Sequence, residues 1–136
     1  MTPMQDRSPA ELYALLAGVL LIALGMLGFF YNGTFTSNEL VHSDMLGVFR
    51  VNGWVNTLNV AAGVVALAAR PSARMCAAGL GVVFVALGIW GLMLGEGDSV
   101  LGILPLNTAD CVLYLAIGVA GLAAASVSPQ NATVPA

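Results

Sequence analysis

The sequence predicts an all-α, polytopic membrane protein, a four-transmembrane-helix bundle built from two parallel two-helix repeats. Three observations carry this. The 136 residues are 59% hydrophobic and only 8% charged, where soluble domains carry about a quarter charged residues, and the mean hydropathy is +0.92. Four runs with little or no charge, at residues 12–31, 51–69, 75–94 and 108–127, reach or approach the roughly 20 residues that cross about 30 Å of hydrocarbon. Finally, the second half of the chain repeats the first. The runs are apolar all round rather than alternating, so helices are expected and a β-barrel is not. At this length one domain is the limit.

Taken in order, residues 1–10 read as a cytoplasmic N-terminus and residues 11–126 as the membrane domain, with helices at about 11–31, 52–69, 74–95 and 108–126. The first helix opens on "SPAE": Ser8 can cap, Pro9 suits the first helical position and Glu11 completes a capping box. Its hydrophobic stretch is too long for a signal peptide and no small-x-small cleavage pattern follows it, so it is expected to be retained. The loop "YNGTFTSNELVHSD" holds the only histidine, His42, which reads as a solvated loop residue. The second helix follows "LGVFRV" and the fourth follows "LGILPL", with Asn52 and Asn107 as the expected N-caps. Asp110 falls in the first turn of the fourth helix, where the positive end of the dipole favours an anion. Residues 127–136 read as a short, polar, disordered tail.

The chain has four Arg and no Lys. A cytoplasmic N-terminus places Arg7, Arg70 and Arg74 inside and Arg50 outside, in line with the positive-inside bias, and puts both termini in the cytoplasm of a cell (inner or plasma) membrane. So few basic residues exclude a nucleic-acid partner. Cys76 and Cys111 fall at opposite ends of their helices, too far apart for a disulfide, and neither sits in a C-x-x-C or metal-ligand spacing. Both read as packing residues, and neither a metal nor a cofactor is expected.

The repeat is visible without gaps. A 55-residue shift lays residues 46–69 on 101–124 with 10 identities in 24 positions, and a 63-residue shift lays 18–28 on 81–91 with 6 in 11. The two matches fall in the same order, so the chain reads as two helix–loop–helix units, each with two crossings and a common entry side. That makes the repeat parallel, with a pseudo-two-fold axis along the membrane normal. Gly18 and Gly25, their counterparts Gly81 and Gly88, and the pair Gly91 and Gly95 mark helix-packing faces, because close approach at small residues supplies much of the association between helices in lipid.

Asn52, Asn56 and Asn59 lie on one face of the second helix, and the 55-residue shift maps them to Asn107, Cys111 and Tyr114, with Asp110 alongside. Polar groups at such positions face the bundle interior, since lipid leaves them unsatisfied. Three roles stay open for this candidate polar face: caps plus interhelical hydrogen bonds, a ligand or ion site, and a contact surface for a partner. The paired motifs "LGVFRVNGWVNTLN" and "LGILPLNTADCVLY" resemble the small bacterial four-helix membrane proteins grouped as domain of unknown function 4383, over roughly residues 12–125. The resemblance implies four membrane helices and brings no activity with it. The family motif has the form N-x-x-[HD]-N-x-x-H. Asn56 and Asp110 fit it, whereas Val55, Asn59 and Tyr114 depart from it, and the missing histidines weigh against a metal, haem or proton role.

No Ser-His or Cys-His set, mid-membrane acidic pair or phosphate loop is present, so the chain is not expected to be an enzyme. Two classes remain. One is a non-enzymatic accessory or scaffold bundle whose partners are the lipid bilayer and either a second copy or a membrane subunit. The alternative is a small transporter or channel with an outward-facing polar vestibule lined by the paired Asn, Asp and Tyr stripes.

Overall fold

A computed structural model describes residues 7–35, 43–94 and 98–129. Four α-helices make up most of it: α1 (Pro9–Tyr31), α2 (Gly53–Ala68), α3 (Ala73–Leu94) and α4 (Thr108–Val127). A short antiparallel hairpin, β1 (Ser43–Met45) and β2 (Phe49–Val51), precedes α2, and a 3-10 turn, Arg70–Ser72, joins α2 to α3. His42, Gly95, most of the N-terminal segment 1–10 and most of the tail 127–136 lie outside the described residues.

The helix boundaries have local causes. Ser8 caps α1, accepting from Glu11 N at 3.1 Å, and Pro9 occupies the first turn. The Ser8 hydroxyl donates to the Glu11 carboxylate at 3.4 Å. The full reciprocal capping box sits instead at α4, where Asn107 accepts from Asp110 N and Asp110 accepts from Asn107 N. Asn52 holds the first turn of α2 through Val55 N, and Pro71 in the following 3-10 turn cannot continue an α-helix. Cap and proline together confine α2 to 16 residues, about 24 Å at 1.5 Å per residue. That is one residue shorter at each end than the expected helix 52–69, because Asn52 and Ala69 stand as its caps. Thus α1, α3 and α4 are long and apolar enough to cross a membrane, and α2 is a shorter apolar helix.

The helices pair as two antiparallel hairpins, α1 with α2 and α3 with α4, along seams of small residues. A Cβ placed on Gly18 would stand 2.8 Å from the Leu67 side chain and 3.0 Å from Gly63 O, and one on Gly25 would stand 2.6 Å from Asn56 O. In the second pair, a Cβ on Gly81 would stand 2.8 Å from Gly118 O and one on Gly88 2.9 Å from Cys111 O. At that range one backbone lies on the other, which no larger residue allows. Only about a third of each long helix is covered within the chain. The outward faces stay apolar, with Phe30 at 87%, Met93 at 80% and Met75 at 73% exposure, as expected of helices solvated by lipid.

The two ends of the bundle differ. At one, Ala10 N donates to Ser128 Oγ at 2.8 Å, and Ser128 Oγ donates to Ala124 O at 2.6 Å, so the start of α1 is tied to the end of α4. Ala10, Ala73, Ala77 and Ala125 pack tightly there. At the other end the connecting segments fold over the start of α2 and α4. Met45 to Val48 form a tight turn with Leu46 and Gly47 at φ 56° and 72°, closed by Val48 N to Met45 O at 3.0 Å. Val100 to Ile103 form the same turn, with Leu101 and Gly102 at φ 55° and 74° and Ile103 N to Val100 O at 3.1 Å. Two successive positive φ values define a type I′ turn, whose twist suits a hairpin. These strand pairings are the departure from an all-helical chain.

Candidate functional site

The six polar residues singled out in the sequence gather at the hairpin end, where α2 and α4 begin. Asn52, Asn56, Asn59, Asp110 and Tyr114 are buried, at 0%, 0%, 4%, 4% and 1% exposure, and Asn107 is half-buried.

Each capping asparagine does two things. Its Oδ1 holds the first turn of its own helix, Asn52 to Val55 N at 2.8 Å and Asn107 to Asp110 N at 2.9 Å. Its Nδ2 reaches across to the other turn: Asn52 donates to Ile103 O at 2.9 Å, and Asn107 donates to Val48 O at 2.8 Å. The 55-residue shift that relates Asn52 to Asn107 also relates Val48 to Ile103, so the two bonds are reciprocal. Each turn thereby closes over the helix that follows the other.

Asp110 adds a bond with no counterpart. Its Oδ2 accepts from Asn107 N at 3.0 Å and from Arg50 N at 3.1 Å, linking α4 to β2. The residues at the corresponding positions are Val55 and Pro105. Proline has no N–H to satisfy and valine has no acceptor to give, so donor and acceptor are missing together.

Farther down the helices, Tyr114 donates to Asn59 Oδ1 at 2.5 Å, and its ring meets Phe84 edge-on at 4.8 Å and 67°. Asn59 and Tyr114 also occupy corresponding positions. Asn56 Nδ2 donates to Asn32 O at 2.9 Å, while the Asn56 amide lies against Gly28, where any Cβ would overlap it. Asn56 Oδ1 has no hydrogen-bond partner among the described residues. Cys111, at the position matching Asn56, lies against Gly91 in the same way. The predicted packing glycines Gly18, Gly25, Gly81, Gly88 and Gly91 all sit in the two seams.

Several members of this cluster were not legible in the sequence. Asn32 donates to Val51 O at 3.1 Å and accepts from both Thr34 N and Thr34 Oγ1, at 3.1 and 2.7 Å. The "NGT" run beginning at Asn32 is a turn signal, but nothing in it points to the start of α2. The carbonyls of Val48 and Ile103 carry no side-chain signature at all. At the opposite end Tyr13 of α1 donates to Ile117 O of α4 at 2.8 Å, a tie between the two helix pairs that spacing alone does not show.

Compared with known families, residues 11–127 match the model described as Domain of unknown function (DUF4383). No curated protein and no solved structure matches the chain.

Proposed function

The chain belongs to the family described as Domain of unknown function (DUF4383), and we propose that it is a non-enzymatic accessory or scaffold bundle of the cell membrane. In this reading all four helices cross the bilayer, with both termini cytoplasmic and the two turns on the outer face. The chain is two tandem helix–loop–helix copies related by a pseudo-two-fold axis along the membrane normal. The shortness of α2 is met by local thinning of the bilayer and by the turns that cover its start.

The observation that carries the accessory reading is that most of the polar face is satisfied internally, Asn56 Oδ1 excepted. Asn52 and Asn107 cap helices and clasp the opposite turns, Asp110 clasps β2, and Tyr114 meets Asn59. A vestibule needs these groups arranged around water, whereas here all but the half-buried Asn107 are buried against one another and against backbone. The duplication is supported by the matching turns, the reciprocal asparagine bonds and the direct contact of corresponding residues 59 and 114. What remains for contacts outside the chain is the apolar outer surface of the helices and the exposed turn residues Leu46, Val48 and Leu101.

The test is co-purification in mild detergent followed by native mass spectrometry. A stoichiometric membrane subunit or a defined homo-oligomer is the expected result. Proteoliposomes of the purified chain are expected to pass neither ions nor small solutes. A flux that disappears in Asp110→Asn or Asn59→Leu would replace the accessory reading with the transporter one.

A further inference from the structure

Among the described residues, the exposed aromatic side chains stand at one end of the bundle. Phe29, Phe30 and Tyr31 close α1, Phe35 follows it, Trp54 opens α2 and Trp90 lies one turn before the end of α3. These positions share one level. A Cβ on Gly53 would stand 2.9 Å from both Gly33 O and the Phe35 ring, and the Phe35 and Trp54 rings meet edge-on at 5.1 Å, which sets the start of α2 beside the end of α1. A Cβ on Gly91 would stand 3.5 Å from Leu106 Cβ, which sets Trp90 beside the start of α4. The amides of Asn52 and Asn107, each crossing to the opposite turn, hold the two helix starts together. Tyr13, nearer the other end, turns inward to Ile117 O.

Hydrogen bonding separates the outward aromatics from the inward ones. Tyr13 donates to Ile117 O and Tyr114 to Asn59 Oδ1, so both inward phenols are satisfied within the chain. Among the described residues, the Trp54 and Trp90 N–H groups and the Tyr31 hydroxyl have no hydrogen-bond partner. In hydrocarbon these donors would stay unsatisfied, and in water the rings would stay hydrated. The layer of lipid ester and phosphate oxygens at the membrane boundary meets both demands.

The opposite limit of the apolar surface is charged. Arg74, in the first turn of α3, donates from Nε to Ala125 O at 3.1 Å. From Arg74 to Trp90 α3 rises about 24 Å at 1.5 Å per residue, and the interval from Trp54 to Arg70 has the same number of residues. Both helix pairs therefore present a similar apolar height, somewhat less than the roughly 30 Å of a typical hydrocarbon core.

We propose that this aromatic end is an interfacial anchor, in which Tyr31, Trp54 and Trp90 donate to the ester and phosphate oxygens of outer-leaflet phospholipids while Phe29 and Phe30 reach the hydrocarbon beneath. The anchor rests on the membrane reading above and fixes the level of the bilayer on the bundle. The boundary layer lies at the starts of α2 and α4, and the turns that carry Leu46 and Leu101 project past it.

The chain has two tryptophans, so their fluorescence reads this depth directly. The full chain is placed in vesicles of phosphatidylethanolamine and phosphatidylglycerol that carry phosphatidylcholine brominated near the headgroup, at mid-chain or near the chain end. Trp54→Phe and Trp90→Phe each leave one indole, and in each the shallow bromines are expected to quench about twofold more than the deepest. Leu20→Trp, in a chain that also carries both Trp→Phe changes, marks the exposed middle of α1 and is expected to reverse that order. Should that variant fail to fold, the two single variants decide by themselves. Two outcomes overturn the anchor while the membrane reading stands, both with a chain that resists alkaline extraction from the vesicles. In one, either indole is quenched most by the deepest bromines; in the other, either is quenched by none, as a second copy covering it would produce. A chain that alkaline extraction releases overturns the anchor and the membrane reading together.

Discussion

The segments that lead into α2 and α4 reach the same geometry from different residues. Both carry a Leu-Gly type I′ turn, an asparagine cap and a capping amide that crosses to the opposite turn. The first has a ladder of three residue pairs, Ser43 to Val51, Asp44 to Arg50 and Met45 to Phe49, while the second keeps a single bridge between Val100 and Leu104. Pro105 stands where Arg50 stands in the first ladder, but the Arg50 N–H goes to Asp110 and not across the ladder, so the proline accounts for the missing carboxylate bond and not for the shorter pairing. What the two segments share is therefore what the bundle needs from each, a turn and an amide. The ladder and the carboxylate are refinements found on one side only.

The largest expected effects fall where the two helix pairs are most alike. Gly63 and Gly118 occupy corresponding positions, and a Cβ on either would come within 2.6 to 2.8 Å of the facing glycine's carbonyl. Gly63→Leu and Gly118→Leu should each destabilise the bundle by about 3 kcal/mol or more, since overpacking against backbone has no flexible atom to move. Thermal unfolding in detergent should show both losses. If either variant unfolds like the wild type, the seams are not in backbone contact.

The asparagines come next, and here the two halves should part. Asn52→Ala removes a cap, worth about 1 kcal/mol, and leaves the Ile103 carbonyl unsatisfied beside a fully buried site, at about 1 to 3 kcal/mol. Asn107→Ala removes the same bonds from a half-buried position, where water can replace the amide, so a loss nearer 1 kcal/mol is expected. Equal losses from the two variants would mean that burial does not separate the two sites.

This cluster also shows how far sequence reasoning reaches. Caps, proline and glycine spacing have local causes, so the helix ends at Pro9, Gly53 and Thr108 could be read from the Ser-Pro-x-Glu and Asn signals. The 55- and 63-residue shifts pair Gly18 with Gly81 and Asn59 with Tyr114, and of these Asn59 and Tyr114 meet directly. The hairpin was not legible, because Leu at the first turn position disguises a motif that Asn-Gly announces. The acceptors of Asn52 and Asn107 are backbone carbonyls, so the sequence showed the amides and hid what they bind.

A smaller effect tests the coordinated absence at Val55 and Pro105. Val55→Asp alone places a carboxylate at a buried position, and the residue that the 55-residue shift sets opposite it, Pro105, has no N–H, so the change should be destabilising. Adding Pro105→Ala restores the donor, recreating the Arg50 N to Asp110 bond on the other side. A double-mutant cycle on thermal stability should give a favourable coupling of about 1 kcal/mol. Additive losses would mean that the two positions do not face each other as Arg50 and Asp110 do.

The smallest expected effect concerns the turns themselves. Leu46 and Leu101 hold φ near +55° with 61% and 66% of their surface exposed, a conformation that asparagine adopts more readily than leucine. Neither side chain is buried, so Leu46→Asn and Leu101→Asn relieve backbone strain without opening a cavity. Each should stabilise the bundle by about 0.5 to 1 kcal/mol. The comparison is sharper when the gain is read beside association. If the turns serve only to close over α2 and α4, both variants unfold at higher temperature and co-purify with the same partners as the wild type. If the exposed leucines are the contact that the accessory reading requires on the outer face, the same variants gain stability and lose the partner. A stabilising change that weakens binding would explain why leucine stands twice at a position so costly for it.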